Sequence, residues 1–198
     1  MAWIALAVIS LVLITATIRR NTVWNDELRL WEDMAAKSPD KPRVLSNLAK
    51  YHLGNNEPKK AIAPLLRALD REPGSTESLN ILGMLLDQIP EARGRYNNGY
   101  KFLTADDKVD VRFMIPWFAN SRNNLGLVYE LAGDRTKALE CYERAVALAP
   151  KDEAPWLNLA LLSAHLGNAR RGAEAFEKLK QLNPQRAKAV ESTVFRKQ

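Results

Sequence analysis

The chain has 198 residues, of which 46% are hydrophobic and 26% charged, and its formal net charge is +6. This balance is typical of a globular protein and excludes a disordered one. A single cysteine, Cys141, excludes an internal disulfide and a cysteine-based metal site, and two histidines are too few for a histidine-rich metal centre.

The first segment, residues 2–18, is apolar throughout and carries no charged side chain. Its seventeen residues are about the minimum that crosses a ~30 Å hydrocarbon core as a helix. Trp3 and Trp24 lie near the two ends, where indole rings favour the headgroup layer. We predict a transmembrane anchor over residues 1–21. A cleaved signal peptide is the alternative, but the sequence has neither a basic N-terminal region nor a clear A-x-A cleavage site.

We predict that residues 22–41 form a half-repeat that caps the following array. Within them we expect a lone helix over residues 22–37, where apolar side chains lie on one face at helical spacing. The residues of this face are Trp24, Leu28, Trp31 and Ala35.

Two stretches near the C-terminus repeat the same order of small and large residues at a spacing of 34. A glycine falls where two helices turn, and a proline follows the second helix. The equivalent pairs are Leu125 and Leu159, Gly126 and Ala160, Gly133 and Gly167, Ala138 and Gly172, Tyr142 and Phe176, and Pro150 and Pro184.

This period resembles the tetratricopeptide repeat (TPR), a helix–turn–helix unit. The resemblance implies an all-α fold, a TPR solenoid with one N-terminal transmembrane helix. We predict the solenoid over residues 42–186 and a C-terminal cap or tail over 187–198. Within it we expect a loop over Pro90–Gly99 and a displaced helix from about Asp106, since turn-forming residues break the period there. The predicted repeats are 42–75, an irregular 76–118, 119–152 and 153–186.

No catalytic signature occurs in the sequence: there is no phosphate loop, dinucleotide fingerprint, nucleophile elbow or zinc-protease motif. His52, His165 and Cys141 are interpreted as structural residues. Asp106, Asp107 and Asp110 lack the glycine and spacing of a calcium loop. We expect no enzymatic activity, no cofactor and no metal. A basic stripe with stacking aromatics is missing as well, which argues against nucleic-acid binding.

In the TPR family the first helix of each repeat lines a concave groove, so the resemblance implies a binding surface. Asn47, Asn124 and Asn158 share one position of the repeat, where an amide can donate to and accept from a ligand backbone. The alternative is that these amides only cap or solvate their helices. Arg43 and Lys50 suit an acidic peptide or a C-terminal carboxylate. Glu130 also faces inward in this scheme. The predicted groove residues are Arg43, Asn47, Lys50, Asn80, Met84, Asn120, Asn123, Asn124, Leu127, Asn158 and Leu161.

The junction over residues 17–49 has the order R-N-x2-W-x-D-E-x2-L-W-x-D followed by K-S-P. It resembles the join between the last transmembrane helix and the repeats of polytopic glycosyltransferase-like membrane proteins, the transmembrane O-mannosyltransferases with C-terminal TPRs. That resemblance places the repeats outside the cytoplasm, whereas Arg19 and Arg20 favour the cytoplasm by the positive-inside rule. We expect a single-pass protein of a bacterial inner membrane with periplasmic repeats.

The leading functional hypothesis is a membrane-anchored scaffold, held by residues 2–18, whose groove binds a peptide or helix of a protein partner. A second is a non-catalytic accessory subunit of a membrane glycosyltransferase, with a polytopic membrane protein as its partner. A third is a periplasmic assembly factor of the kind used in cytochrome c maturation or pilus biogenesis.

Overall fold

The computed structural model describes residues 2–92, 94–96 and 111–195, and within these ranges every regular element is helical. This confirms the predicted all-α class. The elements, in chain order, are α1 Ala2–Trp24, α2 Glu27–Lys37, α3 Pro42–Gly54, α4 Pro58–Arg71, α5 Thr76–Asp87, a short 3-10 helix Pro90–Ala92, α6 Val111–Leu131, α7 Arg135–Leu148, α8 Glu153–His165, α9 Ala169–Leu182 and α10 Pro184–Val194.

The chain divides into two compact units, Met1–Pro73 and Gly74–Gln198. The first begins with α1, in which the stretch Trp3–Asn21 is long and apolar enough to cross a membrane and has none of its surface buried. Thr15 and Thr17 donate their hydroxyls to carbonyls of the same helix at 2.8 Å. Those hydroxyls are therefore satisfied without water, as a lipid environment requires.

Helix α1 runs three residues beyond the predicted end of the anchor at residue 21 and stops at Trp24. The chain then turns at Asp26, whose carboxylate caps α2 by accepting from the Arg29 amide at 3.2 Å. Across this turn Arg20 pairs with Asp33 at 3.3 Å and lies over the Trp24 ring. The helix expected over residues 22–37 thus ends at Lys37 as predicted but begins only at Glu27, because residues 22–24 belong to α1.

The core of the first unit lies between α3 and α4, each of which starts with a proline in its first turn. Their facing side chains are almost fully buried, and α2 packs against α3. Arg67 of α4 donates to the carbonyl of Pro39 at 2.6 Å, and Arg71 of α4 donates to the carboxylate of Asp40 at 2.7 Å. Pro39 and Asp40 lie in the turn between α2 and α3. The buried residues of this core include Leu45, Ala49, Leu53, Ala61, Leu65, Ala68 and Leu69.

In the second unit the helices pair as α6 with α7 and α8 with α9, and α10 packs on α9 and α8. Gly133 and Gly167 form the two turns with φ of +88° and +74°, a left-handed conformation that favours glycine. In the first unit Asn56 has the same place in the repeat with φ +58°. Asparagine tolerates this conformation better than most residues, so one turn geometry serves all three pairs.

Gly126 of α6 lies directly against Tyr142 and Cys141 of α7. A Cβ added there would come within 2.7 Å of Cε1 of Tyr142, a distance that real Cβ atoms do not show. Tyr142 is itself fully buried, so its ring has no room to withdraw. The close helix contact predicted at this position is therefore present.

The irregular region departs from the simple repeat in one further respect. Helix α6 is continuous from Val111 to Leu131, so the boundary predicted between residues 118 and 119 falls inside a helix. The predicted loop begins with the 3-10 helix and a turn over 94–96, while its remainder and the helix start expected at Asp106 lie outside the described residues.

Candidate functional site

Three of the predicted groove asparagines of the second unit are fully buried. Asn123 and Asn124 on α6 and Asn158 on α8 have no solvent exposure. Part of what covers them is the chain itself, because the segment Gly94–Tyr96 lies against them. We call this three-residue stretch the inner segment.

Arg95 of the inner segment binds the repeats through both its side chain and its backbone. Its Nη2 donates to the two carboxylate oxygens of Glu130 at 3.0 and 2.8 Å, and its Nε donates to Oδ1 of Asn158 at 3.0 Å. Its carbonyl accepts from the amides of Asn158 at 2.8 Å and Asn123 at 3.2 Å. The asparagines therefore hold a main chain, and the glutamate holds a guanidinium.

The receiving side chains also bind one another. Asn158 donates to Oδ1 of Asn123 at 2.8 Å, and Asn123 donates to Oδ1 of Asn124 at 3.3 Å. These bonds link α6 and α8, which are the first helices of successive repeats, across the inner face. The amides are consequently oriented by their own contacts as well as by Arg95.

Tyr142 of α7 also binds Glu130, because its hydroxyl donates to Oε2 of the carboxylate at 2.8 Å. Burial raises the pKa of Tyr142 well above its usual value, and the neighbouring negative charge of Glu130 raises it further. The phenol therefore stays protonated and remains a donor. This contact joins the packing between α6 and α7 to the inner face.

Arg186 of α10 also binds the inner segment, because it donates to the carbonyl of Gly94. The same guanidinium donates to the carboxylate of Glu153. Burial raises the pKa of Glu153, but hydrogen bonds from Asn183 and Arg186 outweigh it and hold that pKa below its usual range. Tyr96 donates its hydroxyl to Asp87 of α5. Helices α5, α6, α8 and α10 thus all bind the inner segment.

The predicted groove residues of the first unit are open by comparison. On α3, Arg43 and Lys50 are exposed and Asn47 is half-buried. Lys50 and Asn47 lie one helical turn or less apart, and Arg43 lies one turn before them. This face presents two cations and an amide to solvent.

The remaining predicted residues belong to the second unit. On α5, Asn80 is half-buried and Met84 is 41% exposed. Asn120 and Leu161 are half-buried, and Leu127 is fully buried in the core. Leu127 is therefore a packing residue in this arrangement. Within the part of the chain that the structure describes, no three His, Cys, Asp or Glu side chains form a group that could hold a metal ion.

Residues 125–191 match the family model of the tetratricopeptide repeat. The matched stretch is therefore similar to tetratricopeptide repeats. It spans α7, α8 and α9 and most of α10, together with the end of α6. Of the residues that bind the inner segment, Glu130, Asn158 and Arg186 lie inside the matched stretch and Asn123 lies just before it.

Among characterised proteins, the chain is 28% identical over 109 residues to an N-terminal acetyltransferase A complex subunit-like protein of Schizosaccharomyces pombe. The match covers 54% of this chain and 14% of that protein, so the chain spans only a small part of its relative.

Solved structures resemble the chain at low identity. A thermophilic TPR protein of Thermus thermophilus is 18% identical, with a TM-score of 0.43 and coverage of 93% of this chain and 96% of that one. The Pseudomonas aeruginosa protein pilF is 17% identical, with a TM-score of 0.36 and coverage of 89% and 81%.

Two features of the TPR inner face were not predicted from the sequence. Glu130 was expected to face inward, but its pairing with Arg95 and Tyr142 was not foreseen. Arg95 and Arg186 lie outside the regular positions of the first helices, so the period gives no sign of them. The only available signal was indirect: an unpaired inward-facing glutamate in a buried setting requires a cation nearby.

Proposed function

We propose that this chain is a membrane-anchored TPR scaffold that binds a protein partner along the inner face of its repeats and catalyses no reaction itself. The observation that supports groove binding is the grip on the Arg95 carbonyl by Asn123 and Asn158. An amide pair that holds one backbone carbonyl regardless of side chain can hold a partner's backbone in the same way.

The first unit carries an open face of its own. Arg43 and Lys50 are exposed on the same helix as Asn47, which has the repeat position of Asn158. Two cations beside an amide suit a partner segment with an acidic side chain or a free C-terminal carboxylate. The partner proposed for this face is therefore an acidic peptide or helix end.

The anchor in this proposal is α1, which crosses the membrane once. Its exposed apolar surface and its internally bonded threonine hydroxyls support this role. We place the repeats on the periplasmic side of a bacterial inner membrane. Resistance of the full chain to carbonate extraction, and its loss when residues 1–21 are removed, would support the anchor; protease accessibility in spheroplasts would report the side.

Two narrower roles fit the same surface: an accessory subunit of a membrane glycosyltransferase, and a periplasmic assembly factor of the cytochrome c or pilus type. Both rest on the junction and the anchor, not on a feature of the repeats. Stable co-purification with a polytopic membrane protein favours the first role, and capture of an exported, incompletely assembled subunit favours the second.

The deciding experiment is a quantitative pull-down with the full-length chain in mild detergent. The test variant carries Arg43→Glu and Lys50→Glu. The matched control carries Lys59→Glu and Arg144→Glu, which make the same charge change at exposed positions of second helices. We expect the partner to be lost tenfold or more from the test variant and retained by the control. Equal recovery on all three would remove the inner face of the first unit from the proposal.

A further inference from the structure

The inner segment is bound as a peptide ligand would be bound. The Arg95 amide donates to the carbonyl of Ala92 at 2.9 Å, whereas the Arg95 side chain binds residues 35 and 63 positions away, Glu130 and Asn158. The backbone carbonyls of Gly94 and Arg95 accept from side chains of the array. A connecting turn normally satisfies its own backbone or leaves it to water.

The site keeps its shape through contacts that do not involve the inner segment. Asn158 binds Asn123 directly, and Tyr142 holds Glu130. Arg186 is also held by Glu153, which in turn binds Asn183. A site oriented in advance binds its ligand with a smaller loss of conformational freedom.

The selective element of the site is Glu130. Its side chain is 23% exposed and that of Arg95 is 21% exposed, so the pair is largely withdrawn from water. A carboxylate left unpaired in such a place is strongly unfavourable, and any occupant has to bring a cation. A guanidinium reaches Glu130 and Asn158 at the same time, as Arg95 does, whereas a lysine ammonium reaches only one of them.

From these contacts we infer that Asn123, Glu130, Asn158 and Arg186 form a second peptide site, specific for an extended segment with an arginine, and that the inner segment fills it until a partner's arginine segment takes its place. This inference rests on the proposed function, which it deepens by naming the partner chemistry for the second unit. A tethered occupant competes at a high effective concentration, so the intact chain binds a free peptide more weakly than a chain with an emptied site.

The test uses a fluorescent, end-capped peptide, Ala-Arg-Gly-Arg-Tyr, which has the sequence of residues 92–96. Its anisotropy is titrated with the full-length chain in detergent. We expect Arg95→Ala to bind the peptide at least tenfold more tightly than the wild type. Peptides in which the arginine equivalent to Arg95 is replaced by alanine or lysine should bind Arg95→Ala at least tenfold more weakly than the parent peptide.

A second variant covers the case in which Arg95→Ala does not fold, as judged by its circular dichroism melt. Tyr96→Phe removes only the hydroxyl that ties the inner segment to Asp87 and leaves the site untouched. We expect it to raise peptide affinity about threefold, because the tethered occupant is held less firmly. The inference would be overturned if every folded variant bound the peptide with wild-type affinity, or if the alanine peptide bound as tightly as the parent peptide. The inner segment would then have a purely structural role.

The outcome is separable from that of the scaffold proposal. The pull-down above varies Arg43 and Lys50 of the first unit, while the peptide titration uses purified chain and varies only the second unit. A chain that loses its partner with the Arg43 and Lys50 changes but never binds the arginine peptide keeps the scaffold role and loses this site. If the chain binds the arginine peptide but the Arg43 and Lys50 changes do not reduce partner recovery in the pull-down, the arginine site is kept and the proposed partner surface of the first unit is lost.

Discussion

Asn47 in the first unit and Asn158 in the second have the same position in the repeat but different surroundings. Asn47 is half-buried beside two exposed cations, whereas Asn158 is fully buried and binds Arg95 and Asn123. A repeat position thus fixes where a side chain points, and the rest of the chain decides whether it meets a partner or the protein itself. The predictions below test this contrast, starting with the largest expected effect.

Glu130→Ala should have the largest effect, because it removes the carboxylate that holds both Arg95 and Tyr142. Breaking a buried pair on one side typically destabilises by about 3–5 kcal/mol, and the partial exposure here places our expectation at about 3–4 kcal/mol. Urea unfolding by circular dichroism measures it. Glu130→Gln, which keeps one acceptor, should lose less. A loss below about 0.5 kcal/mol for the alanine variant would mean that Arg95 turns to water instead.

Gly126→Leu should destabilise by about 3 kcal/mol, the upper end for overpacking, because Tyr142 is buried and tied to Glu130 and cannot move aside. Gly54→Leu is the matched control: a Cβ added at Gly54 meets nothing within 4 Å. That variant should melt at or slightly above the wild-type temperature. Matching melts for the two variants would show that the close contact of α6 and α7 is not real.

Asn158→Ala and Asn47→Ala make the same change at the two equivalent positions. The first removes two donated hydrogen bonds and one accepted from Arg95, and leaves buried partners unsatisfied. We expect a loss of about 2 kcal/mol for Asn158→Ala and less than about 0.5 kcal/mol for Asn47→Ala, in denaturant unfolding. Equal losses would abolish the distinction between an occupied and an open inner face.

The smallest expected effect concerns pH. Since the folded pKa of Glu153 lies below its unfolded value, its contribution to stability is present above the unfolded pKa, about 4.3, and is lost as pH falls through the folded pKa. Glu153→Gln should therefore be less stable than wild type by about 0.5 kcal/mol at pH 7 and nearly equal to it near pH 3. Glu177→Gln, the same substitution at an exposed position of α9, is the matched control. A gap that persists at pH 3 would mean that the charge of Glu153 is not what stabilises this side.

The sequence predicted the helix pairs well, because the spacing of 34 residues depends on local packing that each repeat satisfies by itself. It also predicted the turn at Gly133 and the close approach at Gly126, both of which need glycine for steric reasons. The equivalent turn at Asn56 carries no glycine, yet has the same left-handed backbone. Period, more than residue identity, located the turns.

The occupied site could not be predicted in the same way. Asn123, Asn124 and Asn158 were predicted to line the inner face, but the sequence does not show that Arg95 reaches Asn123 and Asn158. Arg95 belongs to the irregular region, where the spacing of 34 residues is broken and the repeat no longer predicts the path of the chain. Contacts between such a region and the helices of the repeats join residues that are far apart in the sequence, and no local sequence pattern predicts them.

The chain of contacts from Tyr142 through Glu130 to Arg95 also has a consequence for sequence variation. Each member satisfies a polar group of the next, and the replacement of one alone strands a donor or an acceptor. In other sequences with this arrangement, the three positions are expected to be kept or lost as a set. Where phenylalanine replaces the tyrosine, as Phe176 does in the following repeat, the glutamate and the arginine should be missing as well.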